Sequence, residues 1–111
     1  MLENKLKKQI QAYCCKFPNE ESGGVIDKGR FVPLSNFAEN KREFYQAQYD
    51  GTPDFIVHSH LKDSAASDID IMVCNRLGIP FVIYSLLNDD FNIIYPQTGE
   101  LPYVGRHLLV L

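Results

Sequence analysis

Phe55-Ile56-Val57-His58-Ser59-His60, followed after a short loop by Ser67-Asp68-Ile69-Asp70, is the stretch around which this chain is organised. Phe55 to Val57 is a short apolar, β-branched run that predicts a buried strand. Residues i and i+2 of a strand point to the same face, so His58 and His60 can reach one point in space. Ser67 to Asp70 opens an amphipathic helix and returns a carboxylate to the same region. Two imidazoles and one carboxylate, with a position left for water, are the ligand set of a catalytic zinc site. Each half also has an ordinary reading. A His-x-His pair is common on surfaces and in cores, and Ser67 with Asp70 fits the N-cap and N3 positions of a capping box.

The helix that Ser67 opens is predicted over residues 68–77. Ile69, Val73 and Leu77 form its expected buried ridge, with Met72 and Cys74 beside it. Gly78 is the expected C′ residue and Pro80 bars continuation. Phe81 to Ser85 is a dense apolar strand of the kind found inside a sheet. Asn88-Asp89-Asp90 predicts a turn, Phe91 to Tyr95 an alternating or edge strand and Pro96 to Gly99 a loop.

Upstream, Leu2, Leu6, Ile10, Tyr13 and Phe17 recur at helical spacing, predicting a helix from Leu2 to about Lys16 that packs on its own sheet. Pro18-Asn19 ends it. Gly23-Gly24 leads into a strand through Ile26, and the glycines imply tight backbone packing or positive φ. Asp27-Lys28-Gly29 is a turn, and Arg30 to Leu34 completes a hairpin. Asn36 to Asn40 reads as loop and Glu43 to Ala47 as a short strand. The pattern argues an α/β (α+β) fold, a mixed sheet with helices packed against it.

The chain has 111 residues and reads as one domain. Its formal net charge is -3 and its pI is about 5.5. No basic stripe points to nucleic acid. No apolar run approaches membrane-spanning length, and Met-Leu-Glu-Asn-Lys does not read as a signal peptide, so a cytoplasmic location is expected. The 3 cysteines include no Cys-x-x-Cys pair, which supports neither a disulfide framework nor a thiolate zinc site.

His58-Ser-His60 … Ser67-x-x-Asp70 resembles the signature of the JAMM (MPN-plus) metallopeptidases: His-x-His, a loop, Ser-x-x-Asp, and a glutamate well upstream. The likeness runs over nearly the whole chain. The loop between His60 and Ser67 is one residue shorter than the common spacing, and Leu61 stands where proline is frequent. The resemblance implies a JAMM/MPN architecture, which is cytidine-deaminase-like, with Zn²⁺ held by His58, His60 and Asp70. It assigns Glu21, ahead of Ser22-Gly23-Gly24, as general base, with Glu20 as the neighbouring alternative, and Ser67 as the hydroxyl that meets the developing oxyanion. Binding would lower the pKa of a water to about 7. The implied reaction is hydrolysis of a peptide or isopeptide bond in a protein or peptide substrate.

Within the family, Asp70 to Ser85 and Pro102-Tyr-Val-Gly-Arg106 are most similar to the N-terminal domain of lambda-type phage tail assembly proteins. There, a Gly-Arg passage leads into a second, cysteine-peptidase domain, so residues from about 100 to 111 are expected to act as linker. Its His107 is expected to be unrelated to the metal. The alternatives are a bacterial protease that processes a ubiquitin-like or sulfur-carrier protein, a repair-associated relative, and a non-catalytic docking module. A zinc nucleoside deaminase would need His-x-Glu and Pro-Cys-x-x-Cys, and the chain has neither. Ser59, on the opposite strand face from the histidines, is expected to pack or hydrogen-bond.

Overall fold

The computed structural model describes residues 2–97 and the backbone of residues 106–110. In chain order the elements are α1 (Asn4–Cys14), β1 (Gly23–Asp27), β2 (Arg30–Leu34), β3 (Gln46–Asp50), β4 (Phe55–His60), α2 (Asp68–Leu77), β5 (Phe81–Ser85), β6 (Asp90–Ile94) and β7 (Arg106–Val110). Five strands form a mixed sheet in the order β2-β1-β4-β5-β6, while β3 pairs separately with β7. β4 and β5 run parallel, and α2 is the crossover that parallel neighbours require. The chain is thus an α+β fold with β4 at the middle of its sheet.

Strand alternation gives the sheet two cores. On one face Ile26, Val57, Val82 and Tyr84 meet Leu6, Ile10 and Cys14 of α1. On the other, Val25, Ile56 and Phe81 meet Val73, Cys74 and Leu77 of α2, with Tyr45 and Ala47 alongside. Ile10, Ile56 and Phe81 are fully buried, which stabilises the fold by about 1.5–3 kcal/mol each. α1 is the sheet-packed helix that the periodicity predicts, two residues shorter at each end. Among the described residues, no helix is long and apolar enough to cross a membrane.

Local signals set the turns. Lys28 and Gly29 both have positive φ, at 52° and 76°, which fits a two-residue hairpin turn matched to strand twist. Gly78 ends α2 in the left-handed region, its N–H bonded to the Cys74 carbonyl. The glycines of β1 act by close approach instead. A Cβ on Gly23 would lie 2.0 Å from the Val57 carbonyl oxygen and 2.8 Å from the His58 Cα, and one on Gly24 would lie 2.0 Å from the Val32 carbonyl oxygen.

Three expectations need correction. Ile69 and Met72 are exposed, and the buried residues of α2 are Asp70, Val73, Cys74 and Leu77. A helix advances about 100° per residue, so seating Asp70 inward turns Ile69 out. The strand expected at 43–47 lies at Gln46–Asp50. Its partner is β7, with Gln46 opposite Val110 and Asp50 opposite Arg106, so residues 106–110, read above as linker, form a strand. The rest of that segment, including Pro102 to Gly105, lies outside the described residues, as do residues 98 and 99 of the expected loop and the side chain of His107.

Gly23→Ala is expected to destabilise the protein by about 3 kcal/mol, the upper end for overpacking, and to weaken metal binding as β1 is driven off His58. Gly29→Ala, with nothing within 4 Å of its added Cβ, should cost only the left-handed backbone strain, about 1–2 kcal/mol. Urea unfolding midpoints of the two variants provide the comparison.

Candidate metal centre

β4 presents His58 and His60 on the face that α2 covers. Ser59 points to the other face, where its Oγ accepts the Ser22 N–H at 2.9 Å and its own N–H donates to the Ser22 carbonyl at 2.7 Å. This is the hydrogen-bonding role expected of Ser59. Beyond His60 the short loop is pinned from the sheet. Ser85 Oγ donates to the Lys62 carbonyl at 2.5 Å and Asn92 Nδ2 to the Ser64 carbonyl at 2.9 Å.

The loop delivers Ser67 as the N-cap of α2. Its Oγ accepts the Asp70 N–H at 3.1 Å, and its own N–H donates to Asp70 Oδ2 at 2.9 Å. The reciprocal pair is a capping box, and it also aims the Asp70 carboxylate. Oδ1 lies 3.1 Å from His58 Nε2, Oδ2 lies 3.1 Å from His60 Nε2, and the two Nε2 atoms are 3.1 Å apart. The ordinary reading of Ser-x-x-Asp and the ligand reading therefore hold together.

These spacings suit a shared cation. Tetrahedral bonds of about 2.0 Å place ligand atoms about 3.3 Å apart, close to what the three side chains already adopt. All the candidate ligand atoms fall within 4.8 Å of one another, so the His58, His60, Asp70 group could hold a metal ion. His60 Nδ1 lies 3.3 Å from the Asp63 carbonyl, the kind of outer contact that orients a ligating imidazole. His58 Nδ1 is buried and finds no hydrogen-bond partner among the described residues; its ring meets Phe81 edge-on.

Glu21, just ahead of β1, lines a cleft of about 600 Å³ that His60 and Ser67 also line. Arg42 and Glu43, from the loop before β3, and Lys62 and Asp63, from the loop after β4, extend this cleft with charges of both signs. A smaller recess beside it is shared by Glu21, His60, Ser67 and Asp70. Of the two glutamates weighed from the sequence, it is Glu21 that lines both spaces. Its backbone is clamped by Asn36, whose Nδ2 donates at 2.9 Å to the carbonyls of both Glu21 and Phe44. Asn36 Oδ1 accepts the N–H groups of Ala38 and Gln46. Asn36 lies in a stretch whose pattern predicts only loop; its Asx-turn chemistry is the signal that marks it.

Burial lowers the pKa of His58 against the opposing pull of Asp70, leaving the neutral ring that metals bind. Burial also depresses His60, but the hydrogen bond and charge of Asp70, the charge of Glu21 and the Asp63 carbonyl outweigh it, and its pKa ends raised. For Asp70, burial acts upward but is overcome by hydrogen bonds from His58 and His60, the His58 charge and the Ser67 N–H, which hold it well below the usual carboxylate range. Burial pushes Glu21 up to about 8, with His60 opposing and Asp70 adding to the rise.

A pH test follows for chelator-treated protein. Glu21 has a folded pKa of about 8 against an ordinary 4.5, so its contribution to stability is complete below 4.5 and is lost as pH rises towards 8. Glu21→Gln should therefore gain stability relative to the parent across that window. Parallel thermal unfolding curves from pH 4 to pH 9 read the difference, and a constant gap would mean that the carboxyl titrates alike in the folded and unfolded chain.

Comparison with known proteins found no matching family model, no matching curated protein and no matching solved structure.

Proposed function

We propose that this chain is a zinc-dependent peptidase or isopeptidase of the JAMM (MPN-plus) kind, with His58, His60 and Asp70 as metal ligands. The observation that carries the reading is the meeting of these three side chains at 3.1 Å spacings beside a carboxyl group pushed to about 8. Two imidazoles and one carboxylate leave a coordination position open, the mark of a catalytic rather than a structural zinc site. When bound, zinc supplies a Lewis acid that polarises an amide carbonyl and brings the pKa of a water to about 7.

The chain's own groups do the rest. Glu21 takes the proton of the attacking water and passes it to the leaving amine, a task suited to a group that titrates near neutrality. Ser67 spends a lone pair on the Asp70 N–H, which leaves its O–H free to donate to the oxygen on which charge develops. Asn36 holds the Glu21 backbone, so the base is fixed from the loop side as well as from β1. The walls of the cleft carry Arg42, Lys62, Glu43 and Asp63, a mixture that suits a peptide better than a polyanion. A role in phage tail assembly, with a tail protein as substrate, is the biological setting that the sequence likeness suggests for this activity.

Three variants test the assignment. His58→Ala should lose bound zinc, measured by metal analysis after dialysis. Glu21→Gln should keep zinc and lose peptide hydrolysis by about 10²–10⁴-fold. Ser67→Ala should lower kcat by about 10²–10³-fold with zinc retained. Stoichiometric zinc in His58→Ala would refute the ligand set. Zinc binding by the parent without hydrolysis of any peptide or ubiquitin-like fusion would favour a docking module.

A further inference from the structure

The recess beside the metal centre has two apolar walls that the chemistry above leaves unused. Phe44 and Ile69 line a space of about 280 Å³ together with Glu21, His60, Ser67 and Asp70. Both are large apolar side chains left in solvent, 36% and 42% exposed. Neither is there through slack in the chain. The Phe44 N–H donates to the Asn40 carbonyl at 3.0 Å, its carbonyl accepts Asn36 Nδ2 at 2.9 Å, and Tyr45 beside it is fully buried. Ile69 sits in the first turn of α2, between the capping residue Ser67 and the buried Asp70, and seating Asp70 inward is what turns it out. Two walls from separate elements are thus held facing one small space that opens on the proposed zinc ligands.

We infer that Phe44 and Ile69 form a specificity subsite that takes a branched apolar side chain, of the leucine or isoleucine kind, next to the scissile bond of a peptide. The inference rests on the peptidase reading above. Volume and charge decide the occupant. The recess lies just below the roughly 300–1,000 Å³ of sites that hold whole small ligands, which suits a single side chain. Glu43 also lines it and disfavours an acidic group. Branched apolar bulk buried between Phe44 and Ile69 adds affinity that a methyl group cannot supply.

The test does not need turnover. Peptidyl hydroxamates, which chelate zinc, are prepared with isobutyl, methyl, carboxymethyl or aminobutyl side chains and titrated calorimetrically into the zinc-loaded chain. The isobutyl compound should bind about 10–200-fold more tightly than the methyl one, with carboxymethyl weakest. In Phe44→Ser and in Ile69→Ser, each with parental zinc content, that ratio should collapse towards one. In Leu87→Ser, a control at an exposed apolar residue that does not line the recess, it should persist. An isobutyl-to-methyl ratio near one in the parent, a ratio that survives both recess variants, or aminobutyl as the tightest ligand would overturn the subsite. A chain that takes up no zinc overturns this inference and the proposed function together. A chain that ranks the hydroxamates as expected yet hydrolyses no peptide keeps the subsite and removes the peptidase.

Discussion

The register that sets Gly23 opposite His58 is the constraint on which the remainder depends. β4 is central, buried on both faces, and must pair with β1 on one edge and β5 on the other. A Cβ at Gly23 would strike the backbone of Val57 and His58, so only glycine permits the approach. That approach brings Glu21, two residues earlier, to the same end of the sheet as the two imidazoles. A one-residue slip would reverse which face each side chain takes, sending His58 and His60 into the α1 core and Ser59 towards α2.

With that register in place, the polar centre is sheltered by the same packing that forms the cores. His58 is fully buried and Asp70 nearly so, and an unpaired carboxylate at such depth would be strongly unfavourable. The capping box and the two imidazoles supply the hydrogen bonds that offset this. Glu21 has no such side-chain hydrogen bonds among the described residues, and burial moves its pKa up while that of Asp70 goes down. Two carboxyl groups near the same histidines are thereby separated in acidity by their surroundings, as the roles proposed for them, proton carrier and ligand, require.

What the sequence made legible was local. The Lys28-Gly29 turn, the Ser67 and Gly78 ends of α2 and the doubly buried run from Phe81 to Tyr84 each carry their signal within a few residues. So do the three proposed ligands, because strand alternation and a helix N-terminus are short-range rules. The misses were non-local. β3 draws its partner from the far end of the chain, which nothing between Glu43 and Asp50 announces. Isoleucine at a helical spacing from Val73 and Leu77 normally belongs in the core, but the inward turn of Asp70 displaces Ile69. Arg42, Glu43 and Phe44 reach the cleft and its recess, and Asn36 the Glu21 backbone, from a loop without periodicity, where side-chain hydrogen bonds rather than hydrophobic pattern determine the path.

The double duty of Asp70 bears on how such motifs inform. Because the Ser67–Asp70 pair starts a helix as well as aiming a carboxylate, a descendant that abandoned the proposed chemistry would still be selected to retain both residues for folding. His58 and His60 carry a smaller folding debt: they hydrogen-bond the buried Asp70 carboxylate but start no helix. Across any set of divergent copies, the histidine pair would therefore decay first, and its survival says more about retained chemistry than the serine and aspartate do.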